Sequence, residues 1–123
     1  MTASTFDHEK LDCYRLAIDF IAWVGTVTEA RGRATKPSAL KHLDEASTSI
    51  ALNIAEGNGK RSVNDRARFL DIARGSALES AACLDVLVAR NHLSALELRP
   101  GKEWLLRIVS MLTKLIERLL APS

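Results

Sequence analysis

Apolar residues recur at three- and four-residue steps in four separate stretches of this chain, a spacing that places them on single faces of helices. The first stretch covers about residues 10–30 and carries two such stripes. Leu11, Tyr14, Ile18 and Ile21 form one; Cys13, Ala17, Phe20, Val24 and Val27 form another, about 110° away at ~100° per residue. A helix in a monomeric bundle needs one buried stripe. Two predict burial on both sides, with the Leu11 stripe entering the bundle and Phe20, Val24 and Val27 meeting another subunit.

The second helix is expected over about 38–56, after a basic loop at 31–37 in which Gly32 stops one helix and Pro37 starts the next. Leu40, Leu43, Ile50 and Ile54 mark its core stripe, and small residues around Ala46 and Ala51 allow close approach. Gly57-Asn58-Gly59 ends it with residues that tolerate positive φ. Ser62, followed three positions on by Asp65, reads as the N-cap of a third helix reaching about Asn91. Gly75 stands mid-helix, where glycine costs roughly 1 kcal/mol relative to Ala, and is read as the mark of a close helix crossing. Pro100 is read as opening the fourth helix, to about residue 120, with Leu105, Ile108, Leu112 and Leu119 on its apolar face. Four helices with short loops predict an all-α, antiparallel up-and-down bundle, one domain over residues 1–123, with the polar residues 1–9 loosely ordered.

Composition agrees: 47% hydrophobic and 26% charged residues suit a globular chain, and 5% aromatics with abundant Ala and Leu suit helices. The net charge of +2, from 17 cations and 15 anions, is smaller than a committed duplex-DNA binder usually carries. Cys13 and Cys83 are isolated among apolar residues and read as reduced core thiols. No apolar run approaches the roughly 20 residues of a membrane span, and no signal peptide is evident, so a bacterial-type cytoplasm is expected.

Two stretches are more particular than a bundle requires: Ser49-Ile50-Ala51-Leu52-Asn53-Ile54-Ala55-Glu56-Gly57, and Phe69 to Glu79 with its Ala73-Arg74-Gly75-Ser76 centre. With Phe6, Leu11, Tyr14 and Ala17, they resemble the bacterial four-helix-bundle proteins encoded by intervening sequences in large-subunit ribosomal RNA genes. That family includes relatives acting as accessory factors of diversity-generating retroelements. The resemblance implies a barrel-shaped homopentamer, and nucleic-acid binding through basic surfaces is the activity usually proposed. Where many members read Gln-x-Arg-Arg-Ala, this chain has His42-Leu43-Asp44-Glu45-Ala46, so its second helix lacks two cations that could meet phosphate.

Chemistry-bearing patterns are few. Asn53 and Glu56, and Ser76 and Glu79, are each three apart and share a helical face; they read as a structural polar network between the second and third helices. Lys60, Arg61, Arg66 and Arg68 stand with one acid, Asp65, and form the candidate nucleic-acid-binding rim. No aromatic residue interleaves them to stack bases. His8, His42 and His92 do not make a di-iron pattern, since His42-x-x-Glu45 has the reverse order and occurs once. No nucleophile with a neighbouring base can be read. Trp23 and Trp104 suit either an interface or the core. The leading expectation is a non-enzymatic, homo-oligomeric helical scaffold, without cofactor or metal, that binds RNA or DNA through its basic rim. The alternative is an adaptor docking a protein partner such as a reverse transcriptase.

Overall fold

A computed structural model describes residues 5–29 and 38–122; the expected basic loop at 31–37, with Gly32 and Pro37, lies outside them. Among the described residues the chain forms α1 (Asp12–Glu29), α2 (Ser38–Asn58), α3 (Val63–Ala89) and α4 (Ala95–Leu120), with no strand. Each helix packs against two others, in the cycle α1–α2–α3–α4–α1, so the bundle is all-α with four sides. A short 3₁₀ turn, Asp7–Lys10, precedes α1. Residues 5–9 are thus more ordered than expected. The Phe6 amide donates to Glu9 at 3.1 Å, and Asn58 Nδ2 at the end of α2 donates to Asp7 at 2.9 Å.

Caps set the helix ends. Ser62 accepts from the Asp65 amide at 3.0 Å, as its spacing predicted. The start of α4 differs from expectation. Ser94 and Glu97 form a reciprocal capping box, and Pro100 lies inside the helix as its sixth residue. Proline there forgoes one backbone bond near the N-terminus, which the cap helps offset. After α3, Asn91 takes a left-handed φ of 61°, while its amide bonds the Val88 carbonyl and the His92 amide bonds that of Leu87. That pairing satisfies carbonyls of the last turn.

One core fills the interior, built from Phe20 and Val24 of α1, Leu43, Ile50 and Ile54 of α2, Leu84 and Leu87 of α3, and Ile108 and Leu112 of α4. The two stripes of α1 are therefore the reverse of expectation. Cys13, Ala17, Phe20 and Val24 are buried within the bundle, and Val27 packs against its edge. Leu11, Tyr14 and Ile21 are half-buried, while Ile18 is exposed. Phe20 and Val24 are enclosed by the chain's own helices and cannot form a subunit contact. The physical reason is fit: Ala17 and Cys13 flank Phe20 with little bulk, so that face approaches its neighbours more closely than the Tyr14 face could.

Gly75 is likewise not a helix crossing, since a methyl group added there would meet nothing within 4 Å. The close approaches are at Gly57 and Gly101. A Cβ on Gly57 would lie 2.9 Å from Phe69 Cβ; one on Gly101 would lie 2.4 Å from the Trp23 ring. Neither Gly57 nor Gly59 is left-handed, so Gly57 is required for space, not for backbone freedom.

Candidate functional site

The basic rim is assembled where α2 turns into α3. Lys60 and Arg61 occupy the connection, and Arg66 and Arg68 lie in the first two turns of α3. Arg66 is already engaged, donating to the Asn58 carbonyl at 3.1 Å and so capping the end of α2. Lys60 Nζ lies 4.8 Å, and the Arg68 guanidinium 4.6 Å, from the centroid of the Phe69 ring. Arg68 also lies 3.9 Å from Asp65. An aromatic ring thus accompanies the cations after all. Its π system is engaged by two of them instead of standing open as a platform for bases. Arg61 is exposed. The rim adjoins the positive end of the α3 dipole, and the acids Glu56, Asp65 and Asp7, the last accepting from Asn58, lie at the same end.

The polar network is partly as expected. Ser49 Oγ and Ser76 Oγ are 2.9 Å apart, joining α2 to α3, and Asn53 Nδ2 donates at 2.9 Å to both the Ser49 carbonyl and its hydroxyl. Ser80, fully buried, donates back to the Ser76 carbonyl at 2.9 Å. Glu56 and Glu79 are exposed and stand outside this cluster. The sequence places Ser49 in the distinctive α2 stretch but not in the polar network, and Ser80 in neither. The signal that could have found them is their position, four residues before Asn53 and four after Ser76. The arrangement fixes the register of two helices and presents no nucleophile with a base.

Cys83 sits in a surface cleft with His42, Glu79 and Arg90, a set that invites a catalytic reading. Its thiol argues against one. Burial, aided by the charge of Glu79, pushes its pKa above the ordinary cysteine value, and burial does the same to Cys13. At neutral pH both remain thiols. No group of three or more metal-ligating side chains is gathered among the described residues. Trp23 and Trp104 are half-buried neighbours, ring centroids 6.2 Å apart, packed against the core between α1 and α4. No helix among the described residues is long and apolar enough to cross a membrane.

The model of the family described as 23S rRNA-intervening sequence protein matches residues 9–114. The chain belongs to that family. Among solved structures it is similar to a protein of unknown function from the S23 ribosomal protein family of Bacteroides thetaiotaomicron VPI-5482. The match has a TM-score of 0.79 and 19% identity, and it covers 85% of this chain and 98% of the other. At that identity the likeness concerns the fold. No curated protein matches. In this member of the intervening-sequence family, the signature residues divide by location. Ser49, Asn53, Gly57 and Ser76 serve the α2–α3 seam, whereas Glu56, Gly75 and Glu79 face outward.

Proposed function

We propose that this chain is a non-enzymatic, cytoplasmic helical scaffold that works as a homo-oligomer, of five subunits on the resemblance, and whose rim contacts RNA or DNA phosphates. The observation that carries the reading is the exposure of three leucines on the outer faces of a bundle whose core is already filled. Leu52 of α2 is 64% exposed, Leu78 of α3 48%, and Leu106 of α4 71%. Covering apolar side chains of this size recovers roughly 1.5–3 kcal/mol each when burial is complete, which favours association. The nucleic-acid part rests on Lys60, Arg61 and Arg68 beside the α3 N-terminus. Because Asp44 and Glu45 are exposed on α2, binding is expected to be weak, sequence-tolerant and steeply salt-dependent.

Light scattering coupled to size exclusion should give several times the 13.5 kDa chain mass. Fluorescence anisotropy should show RNA and DNA binding that falls with salt and is abolished when Lys60, Arg61, Arg66 and Arg68 are all changed to Glu. Unchanged affinity in that variant would remove the rim from the proposal. The second reading, an adaptor for a protein such as a reverse transcriptase, draws on the same leucines. It gains if no nucleic acid binds while the exposed leucines prove essential in cells.

A further inference from the structure

Asn58 is followed by Gly59, and no other asparagine of the chain precedes a glycine. The side-chain amide of an asparagine is open to attack by the backbone nitrogen of the next residue, and a glycine there puts no Cβ in the way. The pair stands where α2 ends, with Asn58 half-buried and Gly59 exposed.

The surrounding contacts act on both reacting groups. Arg66 donates at 3.1 Å to the Asn58 carbonyl. That oxygen belongs to the same peptide unit as the Gly59 nitrogen, so the guanidinium stabilises the negative charge this unit carries once its N–H is deprotonated. The attacked group is restrained. Asn58 Nδ2 donates at 2.9 Å to Asp7 Oδ2 in the 3₁₀ turn, which ties the side chain there and leaves its amide carbon less electrophilic. Gly59 N is also occupied, 3.2 Å from the Ala55 and Glu56 carbonyls. One contact favours reaction, and the others hold it back.

We propose that Asn58 is a site of spontaneous deamidation, held in check by Asp7, and that its conversion loosens the N-terminal 3₁₀ turn from α2. Helix ends fray, and fraying of the last turn of α2 frees Gly59 N from its two carbonyls. Hydroxide takes the Gly59 proton, and the nitrogen attacks Asn58 Cγ. A new N–Cγ bond closes a succinimide ring as the Cγ–Nδ2 bond breaks and the nitrogen, protonated by water, leaves as ammonia. Water then opens the ring at Cγ to give aspartate, or at the main-chain carbonyl carbon to give isoaspartate. The balance is water consumed and ammonia released, with no other reactant. Either product replaces the amide donor by a carboxylate. The bond to Asp7 is lost, and two like charges meet where it stood. The helices keep their own core, so the effect is confined to the turn.

The test follows the intact chain at mildly alkaline pH by peptide mass spectrometry, which reads the exchange of NH for O, with circular dichroism monitoring the fold. Asn58 should convert ahead of Asn53, Asn64 and Asn91. Asp7→Ala should speed the conversion about threefold or more, the factor that one such hydrogen bond is worth. Gly59→Ala should slow it well below the parent rate. A methyl group there meets the Glu56 and Ala55 carbonyls at ordinary distances of 3.6 and 3.7 Å, so this variant should fold. Asn58→Asp supplies the product directly and should raise hydrogen exchange in residues 5–11 while the core amides of α2 to α4 stay protected. If Asn58 outlasts the other asparagines, the site is overturned. An Asp7→Ala chain that converts no faster than the parent overturns the restraint, and unchanged exchange in Asn58→Asp overturns the loosening of the turn.

Discussion

Where α2 meets α3, the facing side chains are small and hydroxyl-bearing; where α1 meets α4, they are indoles. The first seam is joined by the Ser49–Ser76 contact, braced by Asn53, with Gly57 letting the α3 backbone approach. The second is filled by Trp23, which stands 5.9 Å from Phe20 and 6.2 Å from Trp104, with the bare face of Gly101 beneath its ring. Hydroxyl bonds depend on direction and so specify register, whereas a ring in a notch depends on volume and so specifies spacing. Both seams use a glycine, for the same steric reason. The polar seam should lose little when one hydroxyl is removed, and the aromatic seam should lose more when its notch is filled.

The largest effect is expected at the aromatic seam. Gly101→Val places atoms where the Trp23 ring now lies and should destabilise the fold by about 1–3 kcal/mol in urea unfolding. Unchanged stability would mean that the indole swings aside freely, and the contrast between the seams would collapse. A smaller loss, about 0.5–1.5 kcal/mol, is expected for Ser76→Ala, because Ser49 keeps its bond from Asn53. If Ser76→Ala proves the more damaging of the two, the hydroxyl seam is the stronger joint and the ranking is reversed. The smallest change, with opposite sign, belongs to Gly75→Ala. With open space around it, the substitution should stabilise the isolated chain by less than about 1 kcal/mol through helix propensity. A destabilised Gly75→Ala monomer would show that α3 needs flexibility at that turn.

The same contrast explains what could be read beforehand. Periodicity delivered four helices because it depends only on spacing along the chain, and the Ser62–Asp65 cap was visible for the same reason. It could not rank the stripes of α1. Both have helical spacing, and the one holding Phe20 lies inward because Ala17 and Cys13 are small enough for neighbours to close around it. Proline drew attention away from the Ser94–Glu97 cap, although that pattern was equally local. The glycines were the hardest. Gly57, Gly75 and Gly101 look alike in a sequence, and only the partner across the seam separates a notch from an open surface. Of the candidate site, the rim's cations were legible. The engagement of Arg66 by Asn58, and of Lys60 and Arg68 by Phe69, arises from folding back across the turn.

The two indoles are the chain's whole complement of tryptophan, and both stand at one seam. Their emission therefore reports on a single corner of the molecule, while the amide signal of circular dichroism averages over every helix. Melting curves followed by the two signals need not coincide. If emission changes first, the α1–α4 corner opens as a unit of its own while α2 and α3 stay joined; if the curves superimpose, the four helices come apart together. The chain thus carries an intrinsic spectroscopic probe of how cooperative its bundle is, with no label required.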